Sequence, residues 1–159
     1  MIETNASGLN HHAIIAGFGV PGRAVAEWLT KHSIPYVVIE QNKSIVDRCS
    51  ASGVTIVGGD TRDQQVLLRA GIDRADIFAV AVPDEAAVLQ AVQAARALNP
   101  KLQIIARCTF ISGGLEAVRR GADQTIVAEQ IVAREFMRLL DEKPTGRQTG
   151  DAIHSQSNG

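Results

Sequence analysis

Aromatic side chains are scarce, at 4% of the chain, with a single Trp and a single Tyr. Any core must therefore be aliphatic, built from Val, Ile, Leu and Ala, which suits strands covered on both faces. Cysteine is almost absent. Cys49 and Cys108 have no metal-ligand spacing and are too few for the disulfide framework of a small secreted domain, which points to a reducing compartment. Neither sign of charge dominates: 16 Lys+Arg against 17 Asp+Glu leaves a net charge of −1. That balance gives no global basic surface for nucleic acid or an anionic membrane. No apolar run approaches the roughly 18 residues that span a bilayer. The opening MIETNASGLN also lacks the apolar stretch of a signal peptide. The expectation is no nucleic-acid partner, no direct membrane insertion, and a membrane role only through another protein.

What is present is an ordinary globular composition, 45% hydrophobic and 21% charged over 159 residues. Apolar runs at 12–18, 35–40, 54–57, 76–82, 102–108 and 124–127 read as strands. Helical spacing over 21–32, 42–52, 63–70, 85–98, 114–120 and 128–141 alternates with them. Strands separated by helices of this length lie parallel. The predicted class is α/β: a Rossmann-like, doubly wound, mainly parallel six-stranded sheet with helices on both faces. Residues 1–11 read as a flexible lead-in, 12–141 as one nucleotide-binding domain and 142–159, nearly devoid of apolar content, as a disordered tail.

Gly17-Phe18-Gly19-Val20-Pro21-Gly22 fits G-x-G-x-x-G between a strand and a helix, the context the motif requires. Gly17 permits the tight turn, Gly19 lets the backbone approach a phosphate, and Gly22 lets the helix pack closely on the strand. Pro21 suits the first helical turn, and the helix start offers N–H groups to an anion. Glu40 ends the next strand at the spacing of a ribose-binding carboxylate. It would repel a 2′-phosphate, so NADP is disfavoured.

Ligands of open α/β sheets bind at the carboxyl ends of the strands. Standing there are Glu40 with Gln41, Asp60 with Thr61, Val82 and Pro83 with Asp84, then Arg107, and Glu129. Asp60 reads either as a ligand at the adenine edge or as an N-cap of the next helix. Arg107, a cation on a central strand, needs an anionic partner: a phosphate, or a carboxylate such as Glu129. Catalytic equipment is thin. None of His11, His12, His32 and His154 falls at a strand's carboxyl end, and all four read as surface residues. Tyr36 sits at the wrong end of its strand and no metal cluster is apparent; the cysteines read as small buried hydrophobes, with a somewhat acidic Cys108 beside Arg107 as the alternative. A second domain to wall a substrate has no room. An NAD-dependent oxidoreductase, or a subunit of one, is the alternative to a non-catalytic binding module.

GFGVPGRAVAEWL, VVIE, GGDTRDQQVLLRAGIDRADIFAVAVPDE, IIARC and GADQTIVAEQIVA follow in order over about residues 12–140. In these segments the chain resembles the RCK N-terminal lobe, or TrkA-N domain, and most of all the cytosolic domains of Kef-type potassium/proton antiporters. The resemblance implies a Rossmann fold that binds NAD(H) or an adenine nucleotide (AMP, ADP or ATP). It implies regulation of a potassium channel, antiporter or Trk-type transporter, without chemistry. It places the chain in the cytoplasm, peripheral to the inner face of the cell membrane through that partner. Carried over by motif, Gly17, Phe18, Gly19, Val20 and Gly22 line the phosphate site, Glu40 holds the ribose, Asp60 and Thr61 flank the adenine, and Arg107 meets phosphate. Where family members often carry an Asn in the helix after the fourth strand, this chain reads Asp84-Glu85-Ala86-Ala87-Val88.

The last helix, 128–141, carries a wide stripe of Ala128, Ile131, Val132, Ala133, Phe136, Leu139 and Leu140. In the family this segment crosses to a neighbouring subunit, which implies a homodimer. The alternative is docking of the helix on its own sheet.

Overall fold

The computed structural model describes residues 6–142. Six strands, β1 (Ala13–Ala16), β2 (Tyr36–Glu40), β3 (Ile56–Gly58), β4 (Ile77–Val80), β5 (Gln103–Cys108) and β6 (Gln124–Val127), alternate with six helices. The helices are α1 (Val20–Lys31), α2 (Lys43–Ala51), α3 (Gln64–Arg69), α4 (Glu85–Leu98), α5 (Ile111–Arg120) and α6 (Ala128–Asp141). The sheet order is β3-β2-β1-β4-β5-β6 and every strand pair is parallel. This is the Rossmann order, which reverses between β1 and β4 and so opens a crevice at the ends of those two strands.

Alternation along the strands divides the core. Ile14, Ala16, Val37, Ile39, Phe78 and Ile104 face α3, α4 and α5, while Ala13, Ile15, Val38 and Ile56 face α1 and α2. The second layer is incomplete. On β5, Ile104, Ala106 and Cys108 are buried, whereas Gln103 is exposed and Ile105 and Arg107 are only half-buried. No residue of α6 is buried, so among the described residues β5 and β6 have one face left largely open, while α1 reaches the edge of β4.

Helix starts follow local chemistry. Asn42, Asp63 and Asp84 accept first-turn N–H groups at the starts of α2, α3 and α4. The helix expected from Gly114 instead begins at Ile111, where two carboxylates distant in sequence hold the entering backbone. Glu85 Oε1 accepts the Thr109 N–H at 3.2 Å, and Glu129 Oε1 accepts that of Ile111 at 2.9 Å.

Three further expectations differ from the structure. The lead-in is docked from Ala6 onward: Ala6 is buried, and Arg74 donates to the Leu9 and Ala6 carbonyls. His12 is a core residue, 1% exposed, with Nε2 at 2.9 Å from the Ala70 carbonyl oxygen. Burial pushes the Cys108 thiol up rather than down, and Glu85 reinforces this against the opposing Arg107 charge. Residues 1–5 of the lead-in, His154 and the tail from residue 143 lie outside the described residues.

Candidate functional site

The reversal of strand order opens a cleft of about 530 Å³, within the range of small-molecule sites. Its floor is the β1–α1 turn. Gly17 sits at φ +91°, and a Cβ there would press on Val82 across the crevice. A Cβ on Gly22 would overlap the Gly17 carbonyl oxygen, so α1 can pack this close only on glycine. Gly19 is different: a Cβ there would meet nothing within 4 Å, so the backbone is bare toward open space. Gly19 is also the N-cap of α1 and provides no side-chain cap. Side chains accept first-turn N–H groups at the starts of α2 to α5; α1 and α6 begin without such a cap, and of these two the α1 start faces the cleft, where its N–H groups suit an anion.

Opposite this turn stands Glu40. Its Oε2 accepts the Phe18 N–H at 2.9 Å and its Oε1 the Asn42 N–H at 2.8 Å. The carboxylate is fixed by backbone on both oxygens and retains lone pairs for two further donors. Beyond β3, Asp60 pairs with Arg62 at 2.6 Å and also accepts the Arg62 N–H at 2.9 Å. The hydrogen bonds from Arg62 hold the Asp60 carboxyl below the usual carboxylate range. Asp60 is therefore not the helix cap that sequence also allowed; Asp63 is. Thr61 is 5% exposed and its Oγ1 lacks a partner.

Arg107 closes the far side. Its only hydrogen bond is a long one, 3.5 Å from Nη1 to the Pro83 carbonyl, and among the described residues no carboxylate pairs with it. The alternative partner, a salt bridge to Glu129, does not form, because Glu129 is committed to the start of α5.

Thirteen of the residues singled out from sequence line this one cleft: Gly17, Phe18, Gly19, Val20, Pro21, Glu40, Gln41, Asp60, Thr61, Val82, Pro83, Asp84 and Arg107. Two do not. Gly22 lies beneath, at the helix–strand contact, and Glu129 is turned to α5. Sequence reasoning missed Arg62. The DxRD spacing of Asp60, Arg62 and Asp63 was visible, but nothing local told which carboxylate would cap the helix and which would bind the arginine.

This bare-amide turn, carboxylate and unpaired guanidinium fit a phosphorylated adenosine ligand in donor type and charge. The lining contains no His, Cys, Lys, Tyr or Ser. No helix among the described residues is long and apolar enough to cross a membrane.

Comparison with known proteins agrees with this architecture. The chain is 32% identical over 136 residues to the putative cation/proton antiporter YbaL of Escherichia coli, covering 86% of this chain and 24% of that protein. It is 31% identical over 119 residues to the putative K(+) efflux antiporter KefB of Alkalimonas amylolytica, covering 75% and 18%. The chain thus spans less than a quarter of either relative. The crystal structure of the TrkA-N domain of E. coli YbaL superposes with a TM-score of 0.80 at 31% identity, covering 84% of this chain and 98% of that one. GsuK bound to ADP superposes with a TM-score of 0.74 at 27% identity, covering 87% and 36%. The family model described as TrkA-N domain matches residues 13–128, and the chain belongs to that family.

Proposed function

We propose that this chain is a regulatory module. It binds NAD(H) or an adenine nucleotide (AMP, ADP or ATP) in the cleft between β1 and β4 and controls potassium transport through an associated channel, antiporter or Trk-type transporter. The observation that carries this reading is the bare start of α1 at Gly19, facing a backbone-held Glu40 and an Arg107 without a carboxylate partner. ADP in GsuK and the antiporter relatives support the ligand class and the transport role.

In this reading the Gly17–Pro21 turn takes phosphate and Glu40, beside Gln41, takes the ribose hydroxyls. Asp60 and Thr61 flank the adenine, Val82 and Pro83 form the wall across from the turn, and Arg107 meets phosphate. The module senses rather than catalyses: each cleft carboxylate already has a structural donor, Glu40 from two backbone N–H groups, Asp60 from Arg62 and Asp84 from the start of α4, which favours holding and positioning roles. Residues 12–141 act as one domain in a homodimer built in part through α6, at the cytoplasmic side of the membrane partner.

A thermal-shift panel of NAD, NADH, NADPH, AMP, ADP and ATP tests this. A ligand at 100 times its Kd stabilises by about 2.7 kcal/mol. The reading predicts such a shift for at least one non-2′-phosphorylated nucleotide and its loss in Gly19→Val. No shift with any of the six overturns it.

A further inference from the structure

Asp60 and Arg62 are locked together on the lip of the cleft beyond β3. Asp60 Oδ1 accepts the Arg62 backbone N–H at 2.9 Å and its Nε–H at 3.0 Å, and Oδ2 accepts from Nη2 at 2.6 Å. Both carboxylate oxygens are thus taken up by Arg62, and the guanidinium is held as a rigid fork. Asp84, at the start of α4, lines the cleft from the opposite side. Hydrogen bonding to Asp60 raises the Arg62 guanidinium above its ordinary range, and the Asp84 charge adds to this. Arg62 therefore stands between two carboxylates at one end of the cleft, with its side chain 41% exposed.

Strand order fixes which part of a nucleotide reaches that end. Phosphate belongs at the turn after β1 and ribose at Glu40, which ends β2. The next strand is β3, whose Gly58 pairs with Glu40. A nucleotide laid over the turn and Glu40 brings its base to the β3 end, where Asp60, Thr61 and Arg62 stand. Among the lining residues Phe18 is the sole aromatic, and it belongs to the glycine turn. At the β3 end the flat, delocalised cation is the Arg62 guanidinium. Its in-plane donors serve Asp60, while its weakly hydrated faces make no hydrogen bond and suit a heteroaromatic ring. Resting on the nucleotide reading above, we infer that Arg62 is the platform for the adenine: its guanidinium lies flat against the base, and Asp60 is a positioning residue that holds it there. Asp60 then acts on affinity through Arg62 rather than by touching the base edge. A lysine at this position keeps the charge but loses the plane.

The experiment titrates the full chain with AMP and NAD, both of which carry adenine, by calorimetry, and crystallises the wild type with AMP. Arg62→Met should bind both ligands about tenfold more weakly. Arg62→Lys should stay at least about fivefold weaker than wild type. Asp60→Asn loosens the fork and should weaken binding by about threefold, but by less than about twofold in the Arg62→Met background. In the crystal the guanidinium plane should lie about 3.5–4.0 Å from the adenine ring. Thermal unfolding without ligand checks that each variant is folded. Arg62→Leu replaces Arg62→Met should that variant misfold, and the crystal needs no variant. The inference is overturned if Arg62→Met binds within about twofold of wild type or more tightly. It is overturned if Arg62→Lys restores full affinity, which makes charge the contribution, or if the adenine lies away from the Arg62 face. Weakening by Asp60→Asn that persists undiminished in the Arg62→Met background makes Asp60 a direct ligand and also overturns it. A wild-type chain that binds neither AMP nor NAD is a separate result, since it removes the nucleotide reading itself and this inference with it.

Discussion

The Phe18 N–H donates to Glu40 Oε2 at 2.9 Å across the mouth of the cleft at the ends of β1 and β4. This bond ties the glycine turn after β1 to the end of β2, 22 residues later, while the other carboxylate oxygen holds the Asn42 N–H at 2.8 Å. The residue that would bind ribose is thus also a brace for the loop that would bind phosphate.

Glu40→Ala removes both acceptors. Charge-assisted hydrogen bonds to backbone are worth about 1.5–3 kcal/mol each when buried, and these are partly exposed, so a loss of about 1–2 kcal/mol in urea unfolding is expected. Nucleotide affinity measured by calorimetry should fall as well. Unchanged stability would mean that the brace is not used in solution.

NADP(H) should bind more weakly than NAD(H). A 2′-phosphate about 4 Å from Glu40 is repelled by about 4 kcal/mol at an effective dielectric of 20. Solvent reduces this, leaving a difference of roughly tenfold or more. Competitive titration measures the ratio, and Glu40→Ser should narrow it.

Gly22→Ala and Gly19→Ala should separate folding from binding. At Gly22 the new methyl collides with the Gly17 carbonyl, and overpacking of this kind costs about 1–3 kcal/mol or more. At Gly19, where φ is −75° and the space is open, stability should stay within about 1 kcal/mol while phosphate affinity drops. Thermal unfolding with and without nucleotide reads both effects.

The Asp60–Arg62 pair sets a pH dependence. Arg62 depresses the Asp60 carboxyl in the folded state. Its contribution is therefore fully present above the ordinary unfolded value, about 3.9, and is lost as pH falls through the lower folded value. Both side chains are partly exposed, so solvent screening keeps the effect small. Asp60→Asn should flatten the acid limb of a stability–pH curve below about pH 4 and leave neutral pH nearly unaffected.

Phe136→Asp and Leu139→Asp place charge on α6, where the two side chains are 65% and 53% exposed in the isolated chain. Because α6 buries none of its residues, the fold should tolerate both. Light scattering at tens of micromolar should give a dimer for wild type and a monomer for the variants. A wild-type monomer would contradict the homodimer.

The strand–helix alternation was legible because aliphatic runs and glycine stops are local signals. Most cleft residues were legible too, since in a parallel sheet with this connection pattern the strand ends must converge. Arg107 was readable as a cation in need of an anion. Its partner was not, because Glu129 had a competing use at the start of α5 that depends on where α6 turns away. His12 reads as a surface residue from its polar neighbours, yet the docked segment before it and the Ala70 carbonyl bury it. Asp60 and Asp63 are equivalent candidates for a helix cap in one dimension, and three-dimensional geometry assigns one to Arg62 and the other to Gln65.

Sequence alone determined the parallel α/β fold, the glycine turn after β1 and the facing carboxylate. Each rests on side-chain periodicity or on a glycine that the backbone requires, both of which are written within a few residues. Tertiary structure alone decided which polar groups were already consumed and which stayed free. Among the described residues it left one face of β5 and β6 largely open and set Arg107 in the wall between that face and the cleft at the ends of β1 and β4, because hydrogen-bond partners and burial arise only when distant segments meet.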